Sequence, residues 1–184
     1  MNLPSMFLVR GDVGAWLARQ ETVALPDPPP RAGLAVDHHR AVLGCGPDAY
    51  RRARDALRRW EMFHLGWVEV VPREPPVRVG TTVGVVVRHF GFRSANACRI
   101  VALVDEDGPD VARSGFVYRT LPDHAVEGEE RFVVEWTKAD DTVAYDVTAW
   151  SRPRHPLVRL ARPLARRVQR RFARDSLAAM ARAT

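Results

Sequence analysis

Between Trp67 and Trp150 the hydrophobic period of the chain is two, and the links between the alternating runs are too short to hold a helix. Strands joined this way pair antiparallel and lay one face on a core. Six strands are predicted: Trp67–Val71, Thr81–Phe90, Cys98–Val104, Gly115–Leu121, Glu130–Thr137 and Thr142–Trp150, all rich in Val, Thr or aromatic residues. Asp105-Glu106-Asp107-Gly108-Pro109 and Lys138-Ala139-Asp140-Asp141 read as hairpin turns. Alternation is cleanest in Glu130–Thr137, where Phe132, Val134 and Trp136 face one way and Arg131, Val133, Glu135 and Thr137 the other.

Helical spacing brackets this region. Pro47 fits the first position of a helix, and Tyr50, Ala53, Leu57 and Trp60 recur along one side with Arg51, Arg52, Arg58 and Arg59 opposite. A second helix closes the chain, with Leu157, Leu160, Leu164, Val168, Phe172 and Met180 as its apolar stripe. Pro163 either kinks that helix or marks its start. Ala35–Leu43 reads as one more strand, ended by Gly44 and Gly46 at a turn that needs a flexible φ. Before it, residues 1–34 hold a short helix around Val13–Ala18 and an extended connector at Pro26-Asp27-Pro28-Pro29-Pro30. The expected organisation is that N-terminal segment followed by one domain, 35–184.

The fold class that follows is α+β, a curved antiparallel sheet of six to seven strands wrapped around a long C-terminal helix. Element order favours this helix-grip arrangement; periodicity alone does not separate it from a partly open barrel plugged by a helix. A chain of 184 residues with 46% apolar content has enough surface to bury for a single core.

Charge is unevenly spread. Residues 152–184 contain ten Arg and one acid, a local charge of +9, whereas the rest carries 18 basic and 21 acidic residues. Arg166, Arg167, Arg170, Arg171 and Arg174 are therefore candidate contacts for nucleic acid or an anionic membrane. The alternative is a core-packing helix whose arginines form a solvated outer face. Cys45 and Cys98 lack partners at ligand spacing, which points to reduced thiols, and no His pattern fits a metal. Met6-Phe7-Leu8-Val9 is too short for a signal core, so the expected location is cytoplasmic. No cofactor motif is present in the sequence.

Four segments carry a resemblance to a known family: Leu43-Gly44-Cys45-Gly46 leading into Ala53 to Trp60; Gly66-Trp67-Val68-Glu69; the hairpin from Ser114 to Phe132; and Ser151 to Ser176. Together they resemble an uncharacterised family of bacterial proteins with plant relatives, described as a domain of unknown function. The resemblance implies a fold like that of the START and birch-pollen-allergen superfamily and binding of an apolar small molecule. It supplies no catalytic residues. Where the family pattern has Tyr-Gly-Thr-Leu, this chain has Tyr118-Arg119-Thr120-Leu121, so Arg119 either points outward or alters the mouth of a cavity.

The hairpin also concentrates the candidate chemistry. Phe116, Tyr118, Phe132, Trp136 and Trp150 are candidate walls of a ligand cavity, with Tyr118, Thr120 and His124 as its polar groups. His124 beside Glu129 or Glu130 suits general acid–base work in a cyclase-, isomerase- or hydrolase-like enzyme. Neighbouring strand residues point to opposite faces, so Glu129 and Glu130 cannot both enter one pocket. Asp146 shares a face with Trp150 and needs a partner if that face is interior. The leading expectation is a binder of a small, largely apolar ligand; the enzyme and the polyanion binder are the alternatives.

Overall fold

The computed structural model describes residues 12–89, 92–124, 126–154 and 162–184. Seven strands form one antiparallel sheet: β1 Ala35–Cys45, β2 Val68–Val71, β3 Thr82–His89, β4 Phe92–Asp107, β5 Val111–Thr120, β6 Val126–Thr137 and β7 Thr142–Pro153. Their order is β1-β7-β6-β5-β4-β3-β2, a meander whose last strand pairs with the first. Three helices accompany it: α1 Val13–Glu21, α2 Gly46–Arg58 and α3 Arg162–Ala183. α2 and α3 pack on one face of the sheet, which gives the helix-grip α+β arrangement. Pro163 lies in the first turn of α3, where a missing N–H costs nothing. Phe90, Leu157 and Leu160, placed in elements by sequence, lie outside the described residues. No described helix is long and apolar enough to cross a membrane.

The strands run further than the apolar alternation predicts. β4 begins at Phe92 because Arg93, Ser94 and Asn96 pair with β3 although they are polar. Asp105–Asp107 also belong to β4, held opposite β5 by the Glu106–Arg113 ion pair at 2.9 Å. The tight turn shrinks to Gly108–Asp110, closed by Gly108 N–H donating to the Val111 carbonyl.

The inner face, toward α2 and α3, carries the main core. Ala49, Ala53, Ala56 and Leu57 let α2 lie close to the sheet, and the chain then turns at Trp60, whose φ is +59°. Trp60 donates its indole N–H to the Pro75 carbonyl at 2.8 Å and packs against Phe63 and Phe116. Phe63 in turn touches Tyr118, Phe132 and Phe172, which ties the 3₁₀ turn Glu61–Phe63 to the sheet and α3. Each such side chain contributes about 2–3 kcal/mol through buried apolar area.

α1 uses the opposite face. Trp16 and Leu17 pack on Val86, Ala95, Ala97 and Leu121, forming a second small core. Gly84 in β3 makes room, since a Cβ there would stand 3.0 Å from the Trp16 ring. The Pro-rich connector continues along this face: Arg119 donates to the Pro26 carbonyl, and Arg31 stacks 4.2 Å over Trp150.

Candidate functional site

Sheet register places four inner-face residues in one lateral row. Asp37 of β1 is opposite Ala149 of β7, Ala149 is opposite Glu130 of β6, and Glu130 is opposite Tyr118 of β5. On the α2 side of this row lies a second, His39–Val147–Phe132–Phe116. On the far side lies a row of small groups, Ala35, Ser151 and Gly128, extended by Thr120, which accepts from Gly128 N–H at 3.1 Å and pairs with Cys98. Gly128 is required there because a Cβ would meet the Trp150 carbonyl oxygen at 2.0 Å.

Burial changes sharply along these strands. Phe116, Phe132, Val134 and Tyr145 are fully buried, and Val147 is nearly so. Ala35, Asp37, Glu130, Ala149 and Ser151, two or four residues further along the same faces, all stay half-buried. On β5 the neighbouring Tyr118 and Thr120 stay buried, so the half-buried stretch belongs to β1, β7 and β6.

The row is electrostatically coupled. Tyr118 donates its hydroxyl to Glu130 Oε2 at 2.6 Å. Burial pushes the Glu130 carboxyl up to about 7; the Tyr118 hydrogen bond opposes this and the Asp37 charge adds to it. Burial and the same carboxylate push the Tyr118 phenol well above its ordinary value. Burial likewise raises the Cys98 thiol, so it stays a thiol at neutral pH. Asp37 takes an ion pair from Arg166 of α3, and Tyr145 shares a hydrogen bond with Ser176 of α3 at 3.2 Å. Glu130 is thus enclosed deeply enough to resist ionisation while part of its surface remains exposed.

Several residues singled out by sequence lie elsewhere. Trp150 and Asp146 are on the outer face, away from α3. Asp146 is nonetheless buried, because His38 at 2.5 Å and Thr148 at 3.1 Å bond to it and Arg40 and Arg131 approach within 3.7 Å. Trp136 is inward but lies at the α2 end, half-buried, 5.8 Å from the Tyr50 ring and bonded to Asp141. Glu129 faces outward and pairs with Arg119 and Arg31, opposite in direction to Glu130. Arg119 therefore pins the connector and leaves the inner face untouched.

His124 does not meet a carboxylate. Its Nδ1 accepts from Val126 N–H at 3.1 Å, and burial pushes it down to about 4, so it is neutral at pH 7. Glu129 is committed to arginines and Glu130 to Tyr118. Phe116, Tyr118, Thr120, Glu130 and Phe132 are brought together; Asp37, Ala149 and Arg166 complete the row. Asp37 was detectable from alternation, since Asp37, His39, Ala41 and Leu43 share a face that ends on an apolar residue.

Among the other arginines of α3, Arg171 and Arg174 both pair with Asp175, and Arg171 lies 4.2 Å over Trp67. Arg167 and Arg170 are exposed.

The profile of the family described as "Domain of unknown function (DUF1990)" matches residues 18–179. A "UPF0548 protein" of Dictyostelium discoideum is 35% identical over 162 residues, covering 84% of this chain and 75% of its own. A protein of the same description in Deinococcus radiodurans is 42% identical over 156 residues, covering 79% and 76%. Among solved structures, Ara h 8.0201 is similar in fold with a TM-score of 0.46 at 13% identity, covering 80% of this chain and 98% of its own. The family match spans α1's last turns, the whole sheet and most of α3, and on it the chain belongs to the DUF1990 family.

Proposed function

We propose that the protein binds a small, largely apolar molecule between the inner face of its sheet and the N-terminal half of α3. The observation that carries this reading is the step from buried Phe132 and Val147 to half-buried Glu130, Ala149 and Ser151 on the inner face of β6 and β7. Tyr118 would supply an aromatic edge and Thr120 a neutral polar one. Tyr118 and Glu130 form the polar pole that would orient a ligand, the usual composition of a small-molecule site. Native mass spectrometry of protein purified from its own cells, followed by extraction, should reveal a retained small molecule. Ala149→Phe fills the space beside Glu130 and should abolish retention while circular dichroism stays unchanged; retention by a folded Ala149→Phe protein would sink the proposal.

A second reading, proton transfer to the bound molecule, is favoured by one observation. The Glu130 carboxyl titrates near 7, where a general acid–base group works best. This moves the enzyme hypothesis from His124 to Glu130. It separates from simple binding by whether the extracted molecule, incubated with fresh protein, is recovered chemically altered.

A further inference from the structure

The polar row holds more acid than base. Two carboxyls face inward from β1 and β6, and the strand between them contributes only the methyl group of Ala149. Strands two apart lie roughly 10 Å from one another, so the two side chains stand on either side of that methyl group. Arg166 is the cation that α3 brings to the row, and its guanidinium is taken by Asp37. Among the described residues Glu130 receives a hydroxyl from Tyr118 and no cation. The small row Ala35, Ser151 and Gly128 continues past this point, and the aromatic cluster of Phe63, Phe116 and Phe132 lies on its other side.

We infer that the ligand carries a basic amine, held as an ammonium ion against Glu130 above Ala149, with its apolar body on the aromatic and small-residue surface. This rests on the ligand-binding reading above. A carboxylate ligand would add a third acid to a row with one arginine. An alcohol would find a hydrogen bond without a charge. Only a cation supplies the counter-charge that Glu130 lacks, and a charge-assisted hydrogen bond is roughly twice as strong as a neutral one.

Binding an ammonium ion requires Glu130 to release its proton, so affinity should depend on pH. The titratable and charged groups facing it are Asp37 and His39 of β1, Tyr145 of β7, Tyr118 of β5, Cys98 of β4 and Arg166 of α3.

The test is calorimetry with decylamine, decanol and decanoic acid at pH 6 and pH 8. Decylamine should bind about tenfold tighter than decanol at pH 8, and its own affinity should rise about tenfold from pH 6 to pH 8. Decanol should show no such rise. In Glu130→Gln the amine should lose both its advantage over decanol and its pH dependence. Independently of any variant, titrations near pH 6 in two buffers of different ionisation enthalpy should show proton release with decylamine and none with decanol. Decanoic acid binding tightest, or amine and alcohol binding alike, overturns the inference and leaves the ligand-binding reading standing. Binding by none of the three removes that reading, and the inference with it.

Discussion

Tyr118 donates its hydroxyl to Glu130 across the β5–β6 ladder at 2.6 Å, and the two residues are directly opposed in register. The bond favours the carboxylate while burial favours the acid, and burial wins, leaving the carboxyl at about 7. Tyr118→Phe removes the favourable half of that balance. The Glu130 midpoint should then rise by about one unit, the worth of roughly 1.4 kcal/mol of hydrogen bonding to a charged group. A carbonyl-stretch infrared titration of wild type and variant reads it directly; coincident midpoints would show that the hydroxyl does not stabilise the ionised form.

Two buried groups oppose one another in the pH dependence of stability. Glu130 titrates at about 7 in the folded protein against 4.5 ordinarily, so between those values the native state binds the extra proton and stability falls as pH rises. His124 titrates at about 4 against 6.5, so across that window the unfolded state binds the extra proton and stability grows as pH rises. Each full effect is about 3 kcal/mol, and the slopes nearly cancel where the windows overlap. Glu130→Gln should therefore leave stability climbing with pH between about 4.5 and 6.5. His124→Asn, which keeps an acceptor for Val126 N–H, should leave it declining. Urea midpoints across this range test both, and parallel profiles for all three proteins would falsify the assignment.

On the outer face, Arg119 and Glu129 form an ion pair at 2.8 Å with side chains only 12% and 10% exposed. Such enclosure removes most of the screening that makes surface pairs weak. A double-mutant cycle with Arg119→Ala and Glu129→Ala should give a coupling of about 1–3 kcal/mol, above the usual surface value. Because Arg119 also holds the Pro26 carbonyl and Glu129 also holds Arg31, both single variants should speed tryptic cleavage after Arg31, beside the connector. Coupling below about 0.5 kcal/mol would rank the pair with ordinary surface contacts.

Parity and helical spacing made the element classes readable, and they settled one site question outright. Glu129 and Glu130 had to diverge, and they do. What parity cannot supply is which face is interior. In β7 every residue from Val143 to Thr148 is buried, because the core seals one side while His38, Arg40, Arg131 and Thr148 cover Asp146 on the other. Asp146 and Trp150 were read as possible pocket residues for that reason, since covered outer positions look interior in a sequence. Arg166 was grouped with the exposed arginines because an amphipathic pattern does not show where a helix crosses a carboxylate. The start of β4 was missed because its ladder is built from polar residues, whose pairing leaves no hydrophobic period to read.

Two buried tryptophans should respond differently to the same substitution. Trp60 is fully buried, and its indole N–H satisfies the Pro75 carbonyl at 2.8 Å. Trp60→Phe leaves that carbonyl without its donor and opens a gap beside Phe63 and Phe116, so it should cost about 2–4 kcal/mol. Trp16 is 6% exposed, but among the described residues its buried indole N–H has no hydrogen-bond partner. Trp16→Phe gives up apolar contact with Val86, Ala97 and Leu121 while also removing an unsatisfied donor, and these effects offset. Its net cost should stay below about 1 kcal/mol, whereas Trp16→Ala, which strips α1 of its main anchor, should cost about 3 kcal/mol or more. Urea unfolding of the three variants decides the matter. Equal losses for Trp16→Phe and Trp60→Phe would mean that packing alone, and not the state of the indole N–H, sets the worth of each ring.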